Sequence, residues 1–172
     1  DNRKTLAYPE IRSFVKQELV HLVHEHFADA TAVAGVATGA IAQGALVADE
    51  LGLPFCYVRS KAKDHGMGNL IEGTLPEGAK VVVVEDLIST GGSSLKAVEA
   101  LREAGFKVVG MVASYTYGFQ IAEEAFNAAD LKLVTICDYE ATTEIAAESG
   151  YISKEDIEVL KQWRKSPSTW KQ

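Results

Sequence analysis

A chain of 172 residues, 47% hydrophobic, is long enough to bury a proper core as a single domain. Its formal charge of −7 argues against a nucleic-acid or anionic-membrane surface, either of which wants a basic face. Its two cysteines, Cys56 and Cys137, sit in apolar runs and make neither a disulfide framework nor a zinc site, which fits a reducing cytosol, and no apolar run approaches the ~18 residues of a membrane span.

The chain opens at Asp1 with neither a methionine nor a signal-peptide pattern, as a piece of a longer chain would. Asp1 to Leu6 is polar, has no period and reads as loop. Pro9 suits a first helical turn, and Ile11, Phe14, Val15, Leu19, Leu22, Val23 and Phe27 then recur at helical spacing. His21, His24 and His26 crowd the end of that helix. Their spacing matches no standard ligand pattern, whereas protonatable groups at a helix C-terminus suit its dipole. Thr31 to Ala37 is the first strand. It runs into the small turn Thr38-Gly39-Ala40 and a helix from Ile41 to about Leu51, so the turn is either a plain strand-to-helix connection or a second anion cradle.

Phe55 to Val58 is the next strand. After it come Arg59, Lys61, Lys63 and His65, then Gly66-Met67-Gly68-Asn69, a basic, aperiodic segment in an acidic protein. Its composition predicts a mobile loop of the kind that closes over a site. Gly73 to Gly78 punctuates the chain before the central stretch.

That stretch begins with Val81 to Val84, a β-branched run expected of a strand covered on both faces. Glu85 and Asp86 follow at its carboxyl end. Ser89-Thr90-Gly91-Gly92-Ser93 makes a tight turn, and a helix is predicted from Ser93 to Ala104, stopped by Gly105. A strand-to-helix turn aims unpaired N–H groups at an anion; the glycines permit close approach; Ser89, Thr90, Ser93 and Ser94 add hydroxyl donors. Two carboxylates beside such a cradle suit a polyol or a ligand-borne metal, and a ribose 5-phosphate satisfies both halves. A plain helix cap needs one serine and leaves the rest of the pattern unexplained. The turn is not a nucleotide P-loop, because it lacks the Gly-x-x-x-x-Gly-Lys spacing. Beyond it, Lys107 to Ser114 and Lys132 to Cys137 read as strands, with helices over Gln120 to Ala129 and Ala141 to Glu148. Ser153 to Asp156 opens the final helix like a capping box, and Pro167 ends it. Strands alternating with helices predict an α/β fold: a doubly wound, mostly parallel sheet flanked by helices, with ligands beyond the strands' carboxyl ends.

Glu85 to Ser93 resembles the phosphoribosyl-pyrophosphate (PRPP) motif of the type I phosphoribosyltransferases. Arg59-Ser60-Lys61-Ala62-Lys63-Asp64-His65-Gly66 resembles the catalytic loop of one branch, the orotate phosphoribosyltransferases. The resemblance runs from about Asp1 to about Tyr151. It implies transfer of ribose 5-phosphate from PRPP to orotate in pyrimidine biosynthesis, within one domain spanning residues 1–172 whose N-terminal hood segment is largely missing. It implies that PRPP meets Arg59, Lys63 and His65, then the run Glu85, Asp86, Leu87, Ile88, Ser89, Thr90, Gly91, Gly92 and Ser93. Ala37, Thr38 and Gly39 form the pyrophosphate loop, Ser89 meets orotate, and Lys63, His65 and Asp86 are catalytic. Mg2+ arrives on PRPP, with no metal ligands from the protein. The implied assembly is a cytoplasmic homodimer whose catalytic loop crosses to the neighbouring subunit, without nucleic-acid or membrane partners. The chain departs from the pattern twice. Ala37 to Ala40 holds no lysine, and no arginine stands between Tyr115 and Ala129, where some orotate enzymes carry one against the base carboxylate. The missing arginine keeps a purine-base transferase open as an alternative. A PRPP-sensing regulator is the other; it would be expected to show an eroded catalytic loop.

Overall fold

Val81, Val82, Val83 and Val84 are all fully buried, because the strand that carries them, β4 (Lys80–Ile88), runs through the middle of the sheet. The protein, a computed structural model describing residues 2–60 and 70–170, has six strands among those residues. The others are β1 (Ala32–Val36), β2 (Phe55–Val58), β3 (Ile71–Glu72), β5 (Lys107–Thr116) and β6 (Leu133–Asp138). Their order is β3-β2-β1-β4-β5-β6. All neighbours are parallel except β2 and β3.

Alternation along β4 splits the core into two layers. Val81 and Val83 face a cluster with Ala97, Val98 and Leu101 of α3 (Gly92–Glu103) and with Ala122 and Phe126 of α4 (Gln120–Ala128). Val82 and Val84 face Leu19, Val20 and Val23 of α1 (Pro9–His26) and Val47 and Ala48 of α2 (Ile41–Leu51). Each fully buried valine contributes roughly 1.5–3 kcal/mol over an exposed one. Gly110 lets α1 sit close: a Cβ there would stand 2.0 Å from the Phe27 ring. The doubly wound, mostly parallel sheet expected from the alternation is the observed one.

Several boundaries differ from expectation. Asn2–Ala7 is a 3-10 helix rather than loop. β4 runs on through Ile88 because β5 pairs with it to the register Ile88↔Thr116, so Glu85 and Asp86 are strand residues. The antiparallel β3 had no sequence signal in its two residues. On α1, Ile11 and Phe14 belong to the predicted apolar face yet are 47% and 60% exposed; the helix's buried residues, Leu19, Val20 and Val23, all lie in its second half. After β6, Asp138 caps α5 (Tyr139–Glu148) by accepting from the Ala141 N–H, so the helix begins two residues early. Ser153 and Asp156 form the anticipated capping box of α6 (Lys154–Lys165). Among the described residues, no helix is long and apolar enough to cross a membrane.

Candidate functional site

The parallel strands deliver their carboxyl ends to one edge. β4 ends at Ile88, and Ser89 and Thr90 are exposed beyond it. Gly91 turns the chain with φ +81, and α3 begins at Gly92 with no side chain capping it. Its first-turn N–H groups are therefore open to an anion, aided by the helix dipole. Gly91 is doubly required: the positive φ disfavours an L side chain, and a Cβ would lie 2.8 Å from the Phe126 ring. Leu87 is half-buried and Ile88 fully buried, so Ile88 presents only its backbone here.

The two acids point to opposite faces of the sheet. Glu85 is 4% exposed and turns toward α3. One carboxylate oxygen accepts from Ser94 Oγ at 2.8 Å, the other from the Asp86 N–H at 2.9 Å. Burial pushes its pKa up to about 8, against those two hydrogen bonds. Ser94, expected among the anion's donors, is buried and spent on Glu85. Asp86 turns the other way, with a side chain 20% exposed.

Asp86 meets the second turn. β1 and β4 are neighbours, and the turn after β1 brings Gly39 against the Asp86 carboxylate so closely that a Cβ on Gly39 would stand 2.0 Å from Oδ2. The Ala37–Thr38 peptide there is cis, and no side chain caps α2 at Ala40. Two uncapped helix starts thus follow neighbouring strands, and the Asp86 carboxylate lies against the first of them. Ala37 also lines a cavity of about 490 Å3 with Arg59, Gly92, Ser93 and Lys96. Arg59 is held at its rim: its N–H donates to the Leu70 carbonyl, and its guanidinium lies 3.3 Å from the Glu72 carboxylate.

Sequence reasoning missed the N-terminal turn, which packs over Asp86. The Asn2 side-chain amide donates to the Asp86 carbonyl at 2.6 Å, and Arg3 Nε lies 3.8 Å from its carboxylate. Arg12 steadies that turn by donating to the Leu6 carbonyl. Nothing in the pattern of Asn2 to Ala7 marks the approach to Asp86, since the Asn2–Asp86 bond spans 84 residues. Ser89 and Thr90 open on the other side into a cleft of about 1230 Å3, walled by Tyr117, Phe119 and the last turns of α6. Lys63 and His65 lie outside the described residues. Among the described residues no group of three or more His, Cys, Asp or Glu gathers as a metal cluster, the histidines of α1 included.

The comparisons with known proteins agree with this geometry. The phosphoribosyl transferase domain family matches residues 11–149. The chain is similar to the orotate phosphoribosyltransferase of Bacteroides fragilis, with 65% identity over 170 residues, 99% of this chain and 80% of that one. Among solved structures it is similar to the orotate phosphoribosyltransferase of Aeropyrum pernix, with a TM-score of 0.78 at 31% identity, covering 89% of this chain and 84% of that one. It is also similar to the Mycobacterium tuberculosis orotate phosphoribosyltransferase in complex with PRPP, with a TM-score of 0.66 at 27% identity, covering 80% and 79% of the two chains.

Proposed function

This chain belongs to the orotate phosphoribosyltransferases of the phosphoribosyl transferase family, and on that premise we propose that it transfers ribose 5-phosphate from PRPP to orotate, yielding orotidine 5′-monophosphate and pyrophosphate in pyrimidine biosynthesis. One observation carries the reading: two uncapped helix starts follow neighbouring parallel strands, with the Asp86 carboxylate against the first of them. PRPP has a phosphate at one end, ribose hydroxyls in the middle and a diphosphate at the other, and each part meets a complementary group.

In this reading the Ser89–Ser93 turn takes the 5-phosphate through backbone N–H groups and hydroxyls. Asp86 holds ribose hydroxyls. Glu85, buried and bonded to Ser94, fixes the strand end beneath the ribose rather than reaching into solvent. Ala37, Thr38 and Gly39, with Arg59, take the diphosphate. As the C1–O bond to pyrophosphate breaks and the C1–N bond forms, negative charge grows on the leaving group, and the ring nitrogen's proton passes to the departing pyrophosphate or to water. Lys63 and His65 are assigned to that charge, where one well-placed donor in a closed site contributes roughly 3–4 kcal/mol. Asp86 offers hard carboxylate oxygen, the donor type Mg2+ takes, and Mg2+ borne by PRPP would neutralise diphosphate charge. Ser89 is assigned to orotate. The reading treats residues 1–172 as one phosphoribosyltransferase domain. It places the protein in the cytoplasm as a homodimer whose Lys63 loop serves the neighbouring site.

The test is a base panel. Incubated with PRPP and Mg2+, the protein is expected to release pyrophosphate with orotate, and not with adenine, hypoxanthine, xanthine or uracil. Turnover of a purine instead of orotate, or pyrophosphate release that ignores the base, refutes the assignment.

A further inference from the structure

The C-terminal helix reaches the site from the far end of the chain. Arg164, in the last turn of α6, donates from Nε to the Tyr117 carbonyl at 3.1 Å and from its second terminal nitrogen to the Gly118 carbonyl at 3.0 Å. Two adjacent carbonyls held by one planar fork define the orientation of that peptide far better than a single contact does. Gly118 has φ +62, and a Cβ there would stand 2.7 Å from the guanidinium, so the backbone is shaped to receive it. Tyr139 lies beneath the guanidinium at 6.0 Å, and Glu140 flanks it at 3.8 Å. Trp163, the preceding residue, packs on Tyr117, Phe119 and Tyr139 with ring centroids 5.7, 6.0 and 5.4 Å away.

What Arg164 fastens is next to the phosphate turn. The Tyr117 N–H donates to the Ile88 carbonyl at 3.0 Å, and Ile88 is the last residue of β4 before Ser89. Gly118 to Gln120 leads directly into α4, whose Phe126 ring supports Gly91. The same peptide is therefore bonded to one end of Ser89-Thr90-Gly91 and leads into the helix that packs on the other. It belongs to neither regular element, since β5 stops at Thr116 and α4 starts only at Gln120; locally it is held by the Gly118 N–H donating to Thr116 Oγ1 at 3.0 Å, and Arg164 supplies the two bonds to its carbonyl side.

We propose that Arg164 is a positioning residue for the 5-phosphate turn, acting through the Tyr117–Gly118 peptide and the Ile88 carbonyl. The proposal rests on the phosphoribosyl reading above. It predicts selectivity: loss of Arg164 disturbs the phosphate end of the ligand and spares the diphosphate end, which is held from β1 and β2.

The test is calorimetric titration of the full chain with ribose 5-phosphate and, separately, with pyrophosphate and Mg2+. Arg164→Ala is expected to weaken ribose 5-phosphate roughly tenfold, in keeping with the steep cost of displacing a binding group by a fraction of an ångström. Pyrophosphate affinity is expected to stay within about twofold, since none of the Arg164 contacts described above reaches its turn. Lys161→Ala removes a cation from the same cleft whose partner is Glu158, and is expected to leave ribose 5-phosphate binding within about twofold. Unchanged ribose 5-phosphate affinity in folded Arg164→Ala overturns the proposal. So does equal weakening of both ligands, which marks general destabilisation, or an equal loss in Lys161→Ala, which marks simple charge. If Arg164→Ala does not fold, Arg164→Lys carries the test: its single ammonium cannot hold both carbonyls in one plane, and wild-type affinity in that variant overturns the proposal as well. A wild type that binds neither ribose 5-phosphate nor PRPP removes the phosphoribosyl reading itself, and Arg164's role with it.

Discussion

Gly39→Ala tests the closest contact in the site. A methyl group placed on Gly39 would lie 2.0 Å from Asp86 Oδ2, and real Cβ atoms essentially never approach within 3.0 Å. Either the carboxylate or the turn from Ala37 to Ala40 must therefore move by at least 1.0 Å, the difference of those two distances. Asp86 is not free to yield by itself, because its carbonyl is bonded to Asn2 and its carboxylate faces Arg3. A displacement of about 1 Å in a positioned group costs on the order of a hundredfold, or about 2.7 kcal/mol. PRPP affinity, measured by calorimetry, is expected to fall by that order, while the Tm stays within a few degrees because the clash is at the edge of the core. The decisive comparison is a double-mutant cycle. In an Asp86→Ala background the obstructing oxygen is gone, so adding Gly39→Ala is expected to cost little further affinity. A Gly39→Ala variant that binds PRPP like the wild type refutes the reasoning, and so does a penalty that persists in full without the Asp86 carboxylate.

The other predictions concern the same strand end. Glu85 has its pKa raised by burial from 4.5 to about 8, so folding takes up a proton and the resulting stability is complete below pH ~4.5 and is lost as pH rises through about 8. Glu85→Gln removes this dependence: denaturant titrations from pH 5 to 8.5 are expected to show wild-type stability falling relative to the variant by as much as about 4 kcal/mol, and parallel curves would contradict the burial argument. Gly91→Ala forces a side chain to φ +81 against Phe126, at a cost of about 1–2 kcal/mol, expected as a Tm roughly 2–8 °C lower and weaker ribose 5-phosphate binding; an unchanged Tm would deny the strained turn. Lys63→Ala is expected to lower kcat far more than PRPP affinity, and mixing it with an inactive Gly91 variant is expected to restore some turnover. No recovery in verified mixed dimers would mean that each loop serves its own subunit.

Much of this was legible in the order of residues. Val81 to Val84 announced a strand buried on both faces, and Ser89 to Ser93 a glycine turn into a helix, because β-branching, missing Cβ atoms and helix periodicity act over a few neighbouring residues. The matched resemblance of Glu85–Ser93 and Arg59–Gly66 pointed to the family that the relatives show. Side-chain direction was not legible: Glu85 and Asp86 read as a pair at the strand's end, whereas the structure encloses Glu85 with Ser94 and sets Asp86 against Asn2 and Arg3.

Local chemistry along the chain settled which segments become strands, which become helices and where a glycine turn joins them, since each of those depends on contacts among near neighbours. Tertiary structure decided what stands across the gap from each group: Gly39 against Asp86, Ser94 against Glu85, and Arg164 on the Tyr117–Gly118 peptide. Such pairings join residues 9 to 47 positions apart, and they exist only once the twist and order of the sheet have brought separate strand ends to a common edge.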